Sequence, residues 1–189
     1  MKTGYTNDQW TGTSRGYSIT DGYHWLRPKQ PEPEWTQLAW NRWNYPKHSM
    51  ITWIVMNQGL NVKTKLFQFG VSHDDKCCTC DNEQETQSHL FFDCLYSKQV
   101  LNKVEQWCGF RVNVNMAGDW RCNTGAKLKQ HVHFLVWSAC FSHIWYQRNN
   151  TRVNTTLSMP SKVVVVIKDE VQRRIRGKLS SKKHGVQSQ

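Results

Sequence analysis

Three cysteines and a histidine, spaced Cys77-x2-Cys80-x8-His89-x4-Cys94, constrain this chain more than any other part of its sequence. Two thiolates two residues apart can clasp one metal ion from a single tight turn. A histidine and a fourth sulfur further on complete the tetrahedral set of sulfur and nitrogen donors that Zn2+ prefers. Four protein donors leave no position for water, so the expected site is structural and holds one zinc. Binding free energy at such a site is folding free energy, on the order of 10–16 kcal/mol in small zinc peptides. That exceeds the net stability of most domains, about 5–15 kcal/mol. A lone Cys-x2-Cys would leave room for buried thiols beside an unrelated histidine; the distances to His89 and Cys94 favour the metal. Cys78 is the spare thiol, because a pairing of Cys78 with Cys80 leaves one residue between them, poor geometry for a single ion. Cys108, Cys122 and Cys140 read as ordinary buried or idle thiols.

Cysteine usage also bears on the compartment. Seven cysteines, three of them crowded into Cys77, Cys78 and Cys80, do not resemble the even, spread count of a secreted disulfide framework. The polar start, Met1 to Trp10, offers no secretory leader, and the longest aliphatic run, Val163 to Ile167, falls far short of the roughly 20 apolar residues a bilayer span needs. The expectation is an intracellular protein that is neither secreted nor membrane-bound, in which the sequons at Asn149 and Asn154 are chance matches.

The rest of the chain reads as mainly α: a small helical domain with a zinc knuckle loop and a basic C-terminal helix. Its 189 residues suit one domain with tails, and ten tryptophans provide material for a core. Residues 1–16 look like a loose entry and Tyr17 to Arg27 like a short helix, broken by three prolines between Pro28 and Glu34. Trp35 to Trp43 carries helical spacing and ends at Pro46. Ser49 is a candidate cap for the next helix, whose buried face is Ile51, Ile54, Val55 and Met56. Asn61 to Phe69 is a short helix or turn, Leu90 to Val104 a helix containing Cys94, and Arg111 to Val114 a possible short strand. Leu128 to Arg148 has the firmest helical period, in Val132, Leu135, Val136, Ala139, Cys140 and Ile144. Pro160 opens a last helix with the stripe Val164, Ile167, Val171 and Ile175. The domain expected from this runs over residues 17–150, followed by a linker, basic helix and disordered tail over 151–189.

Charge points to polyanions. The formal net charge is +11, and Pro160 to Gln189 holds eight basic and two acidic residues, a local +6. Such a surplus favours nucleic acid, RNA or DNA; a solvated basic helix is the plainer reading of the same run. The residues singled out for phosphate are Arg173, Arg174, Arg176 and Lys178, with Arg42 and Lys47 beside aromatic rings in Trp40-Asn41-Arg42-Trp43-Asn44-Tyr45-Pro46-Lys47. Stacking of bases on those rings competes with core packing, which claims one of Trp40 and Trp43, since both cannot point inward equally.

The blocks YSITDGYHWL, WTQLAWNRWNYPKHSMITWIVMNQGL, CCTC and ETQSHLFFDCLYS resemble the zinc-binding domain that follows the reverse transcriptase in plant LINE-type (non-LTR) retrotransposon proteins. HIWYQRNN is similar to the segment that trails that domain. The resemblance implies that Cys77, Cys80, His89 and Cys94 match the family's zinc ligands, and implies a nuclear setting and a role linked to nucleic acid. Val62 and Thr64 stand where the pattern has Thr and Asp, and Leu101 where it has Trp. With no polymerase or endonuclease in these residues, the chain is expected to be a fragment of such an element or a domain retained alone.

No catalytic residue emerges, and the expected protein is not an enzyme and takes no small-molecule substrate. Asp74-Asp75 lacks the flanking hydrophobic strands of a polymerase metal pair. His131 and His133 lie two apart on a helix, hence on different faces, and His143 reads as a packed or surface histidine. Three functional expectations remain beside the zinc. One is non-specific nucleic-acid binding; another is an interaction domain whose last apolar stripe docks on a protein partner; the third is a retroelement relic with no selected role.

Overall fold

A computed structural model of the protein describes Ile19, residues 32–112 and residues 127–184, the last four of these by backbone alone. The chain divides into two compact units, Met1–Pro33 and Glu34–Gln189. Of the first, only Ile19, Glu32 and Pro33 are described, and Ile19 is exposed. The expected helix over Tyr17 to Arg27, and Cys122, otherwise lie outside the described residues.

The second unit is helical, with no strand among the described residues. Its helices are α1 (Thr36–Ala39), α2 (Pro46–Met56), α3 (Lys63–Gln68), α4 (Leu95–Cys108), α5 (Lys127–Asn154) and α6 (Pro160–His184), with a π-helical turn at His89–Asp93 ahead of α4. The long α5 is the spine. α1, α2 and α6 all pack on it, and α6 also lies along α4.

Apolar stripes explain the spine. Leu135, Val136, Ala139, Cys140 and Ile144 of α5 are all buried, as the 3.6-residue period requires, and Val132 packs at the edge. Phe141 meets Phe91 edge-on at 5.3 Å between ring centres, which ties the segment after the knuckle to the spine. In α6, Val163, Val164, Ile167 and Val171 are buried in the same core and Ile175 packs against it. The stripe expected to dock on a protein partner is therefore covered by this chain's own helices, because α4 and α5 present a matching apolar groove.

Several boundaries differ from the expectation. The helix expected from Trp35 to Trp43 closes after one turn at Ala39. Pro46 does not end an element but opens α2, where its fixed φ suits the first helical position and its missing N–H has no partner to lose. Ser49, the expected cap, lies buried inside that helix beside His48 and Thr52. The face of α2 toward the core is thus partly polar; Ile51 and Ile54 are only partly buried. α5 runs to Asn154, past the expected end at Arg148. Arg111 and Val112, the described part of the possible strand, have no regular structure.

Candidate metal centre

The knuckle is built from backbone first. Lys76 and Gln84 form an antiparallel bridge, Cys77 N donates to Glu83 O at 2.7 Å and Asp81 N to Cys77 O at 2.8 Å. Asp81 takes a left-handed φ of 53°, a conformation that Asp tolerates better than most residues. This turn brings Cys77 and Cys80 to one side. Thr86 caps the next segment, its Oγ1 accepting from His89 N at 3.0 Å.

Cys94 reaches the site by a break in the chain. Its N–H bonds back to His89 O at 2.7 Å, a π-type i to i−5 bond, and its own backbone is extended (φ −59°, ψ 131°) before α4 starts at Leu95. The continuous helix expected from Leu90 to Val104 is interrupted here. An unbroken α-helix would carry Cys94 round by the ordinary 100° per residue; the widened turn aims it back at the loop.

The four predicted donors, Cys77, Cys80, His89 and Cys94, converge, their ligand atoms lying within 4.8 Å of one another. Tetrahedral zinc with Zn–S near 2.3 Å and Zn–N near 2.0 Å needs donor separations of about 3.8 Å for two sulfurs and about 3.5 Å for sulfur and nitrogen. Cys77 Sγ and Cys94 Sγ stand 3.9 Å apart, and Cys80 Sγ and His89 Nε2 3.4 Å. The donor set fits the ion. His89 Nδ1 lies 3.0 Å from Glu83 Oε2, so an Nδ1–H donated to that carboxylate leaves the Nε2 lone pair facing Cys80, the arrangement that orients a metal-bound histidine. Cys77 and Cys94 share a hydrogen bond that pushes the Cys77 thiol up to about 12, with burial adding to it. The same bond draws Cys94 down to about 7. The two sulfurs thus act on each other across the distance that a shared cation would span. Cys78, the spare thiol, is half-buried and lies outside this cluster.

Beneath the knuckle is a buried ion pair that sequence reasoning missed. Glu85 is fully buried; its Oε1 accepts from Lys63 N at 2.8 Å and from Arg148 Nε at 2.9 Å, and its Oε2 from Cys78 N at 3.2 Å. Arg148 is buried as well, bonds Asn61 O at 3.2 Å and stacks over Trp145 at 4.8 Å. The only sequence signal for either residue is its place in the blocks ETQSHLFFDCLYS and HIWYQRNN.

The residues expected to meet phosphate divide. Arg42, Arg173 and Arg176 are exposed. Arg174 is committed to the fold: its Nε donates to Trp43 O at 2.8 Å, its Nη2 to Asn44 O at 2.9 Å, and its guanidinium lies 4.8 Å over the Tyr45 ring. Lys47 is exposed but paired with Glu170 at 2.9 Å, and Arg173 pairs with Asp169 one turn back. Lys178 lines a shallow groove with Tyr45, Arg173, Arg174 and Gly177. Of the two competing tryptophans, Trp43 is 2% exposed and stacks on His131 at 5.5 Å, whereas Trp40 is 54% exposed and lines a groove with Arg42 and His131. His133 stacks instead on Phe110. Asp74 is a loop brace, accepting from Lys63 Nζ at 2.6 Å and Lys76 N at 2.9 Å; these bonds hold its carboxyl below the ordinary range.

A helical core carrying a three-sulfur, one-imidazole knuckle defines the class: a domain with a site suited to structural zinc. Residues 17–100 match the family described as zinc-binding in reverse transcriptase, which supports a domain of that kind over this stretch. No curated protein and no solved structure matches the chain. No described helix is long and apolar enough to cross a membrane.

Proposed function

We propose that Cys77, Cys80, His89 and Cys94 hold one structural zinc, and that the domain so closed binds RNA or DNA without strong sequence preference. The convergence of the four donors within 4.8 Å carries the first half of this reading. Zinc there supplies cross-linking energy and no chemistry, since all four positions are taken by protein. The domain lacks polymerase activity of its own. Its origin in a plant LINE-type retrotransposon protein, and a nuclear place of work, follow from the resemblance of its sequence blocks.

The second half rests on charge and on which cations are spent. With α6 buried along its apolar stripe, Arg173 and Arg176 stand on its outer side. Arg42 and the exposed Trp40 share a groove in which a base can stack while the guanidinium meets a phosphate. The excess of +11 supplies long-range attraction.

Two measurements test the reading. Cobalt substituted into the knuckle gives a thiolate-to-metal charge-transfer absorption, and Cys80→Ser with His89→Ala removes that band together with one equivalent of zinc. Binding to single-stranded RNA and DNA of mixed sequence weakens as salt rises, with a log–log slope near −0.7 for each phosphate neutralised on a single strand. Binding that ignores salt, or that never appears, sinks the nucleic-acid part and leaves the metal part standing.

A further inference from the structure

Three helices place a second donor cluster in the same unit, sharing no residue with the knuckle. His48 comes from α2, His143 from α5 and Glu170 from α6, and one ligand atom of each lies within 4.8 Å of the other two. We propose that His48, His143 and Glu170 form a second divalent-metal site, one that takes zinc or a similar nitrogen- and oxygen-seeking transition metal and leaves one coordination position free of protein.

His48 carries the argument. Its side chain is completely buried, yet neither ring nitrogen has a hydrogen-bond partner. Buried polar side chains are nearly always paired, and an imidazole left unpaired in a core bears its whole desolvation cost. His48 Nε2 does stand 3.3 Å from Glu170 Oε2, but without hydrogen-bond alignment. That separation is close to the roughly 3.3 Å between two donors of a tetrahedral zinc with bonds near 2.0–2.1 Å. A cation between them satisfies the orphaned nitrogen directly.

The other two donors agree with this. His143 Nε2 lies 2.7 Å from the same Glu170 Oε2, a hydrogen bond whose proton a metal would displace, with the pair opening by roughly half an ångström to coordination distance. Glu170 Oε1 accepts from Lys47 Nζ at 2.9 Å. The lysine thereby fixes the carboxylate from its far oxygen and leaves Oε2 as a single donor, an outer contact of the sort that orients ligands. Its charge opposes the ion, but Lys47 is 62% exposed and so well screened. Tyr45 meets His48 edge-on at 5.4 Å, and its hydroxyl reaches the backbone Glu170 O at 3.4 Å, so one side chain touches both the histidine and the helix that carries the glutamate.

Two histidines and one carboxylate are the donor number of zinc sites that keep a water. His143 also borders a cavity lined by Lys47, Ser142, Tyr146, Gln147 and Lys162. The cavity opens beside His143, the donor of the three that lines it. Donors mounted on three packed helices are held more rigidly than donors on loops.

The test uses the full chain and Zn2+ or Co2+ alone. Metals counted by native mass spectrometry should reach two per chain. In the unaltered protein the second cobalt adds visible d–d absorption without any further thiolate charge-transfer band. This reading needs no variant. His143→Ala and the shape-preserving Glu170→Gln should each weaken the second equivalent by more than the roughly 10–100-fold that loss of an outer partner costs, while the thiolate band stays. A single equivalent that carries the thiolate band overturns the proposal, as does a second equivalent that both variants leave undiminished. Failure of the knuckle reads differently: the thiolate band is then missing while the sulfur-free spectrum persists.

Discussion

Arg148 of α5 and Glu85 of the knuckle loop form an ion pair across 63 residues of sequence, with Nε to Oε1 at 2.9 Å and both side chains out of solvent. The pair fastens the metal loop to the spine. Two buried charges repay their desolvation only when their remaining donors and acceptors are also met. Here they are: Glu85 takes amides from Lys63 and Cys78, and Arg148 reaches Asn61 O and Asn149 Oδ1.

Removing one member therefore costs more than removing both. Arg148→Met is expected to lower stability by about 3–5 kcal/mol, because Glu85 is left as an uncompensated buried charge. Arg148→Met with Glu85→Gln should recover part of that loss. Urea unfolding of the two single variants and the double one gives the coupling; strictly additive costs would mean that the pair does not act as a unit.

Trp43 and Trp40 are expected to part sharply. Trp43→Ala should cost about 3–5 kcal/mol, as truncation of a buried aromatic does, whereas Trp40→Ala should stay within about 0.5 kcal/mol in stability. Its loss should instead weaken binding to single-stranded nucleic acid by about 1–3 kcal/mol if a base stacks there. Thermal unfolding and fluorescence titration read the two quantities separately.

The arginines of α6 make a second contrast. Arg174→Ala breaks two bonds to backbone carbonyls and the stack on Tyr45, and should destabilise the fold by about 1.5–3 kcal/mol. Arg173→Ala loses an exposed pair to Asp169 and should change stability by less than about 1 kcal/mol, while reducing the salt slope of nucleic-acid binding by about one phosphate's worth. Equal stability losses in the two variants would contradict the division.

Cys140 is a thiol that native protein should hide. It is fully buried, and burial pushes its thiol above the ordinary range; the same cause raises Cys108. Alkylation of the zinc-loaded chain near pH 8 should leave Cys140 unlabelled until the molecule unfolds globally. Peptide mapping reads it, and labelling of Cys140 under native conditions would refute the packing of α5.

Metal removal should act on one region first. Chelation is expected to abolish hydrogen-exchange protection from Lys76 to Cys94, while the α5 and α6 amides keep theirs longer, since their packing rests on apolar stripes. Simultaneous loss of protection throughout would show that the metal site and the core unfold as a single unit.

Much of this was readable along the chain, because it depends on short-range spacing. The donors of the knuckle, the buried stripes of α5 and α6 and the excess of positive charge all recur at distances set by a tight turn, a helical period or simple counting. Folding decided what depends on distant neighbours. No local rule separates Trp43 from Trp40, or Arg174 from Arg173, since each pair is chemically alike and differs only in what another segment lays against it. Glu85 and Arg148 look like ordinary surface charges until the loop meets the spine, and His48, His143 and Glu170 come from three helices with no common sequence pattern. A side chain's burial and partners are properties of the space around it, and that space is enclosed only when the helices pack.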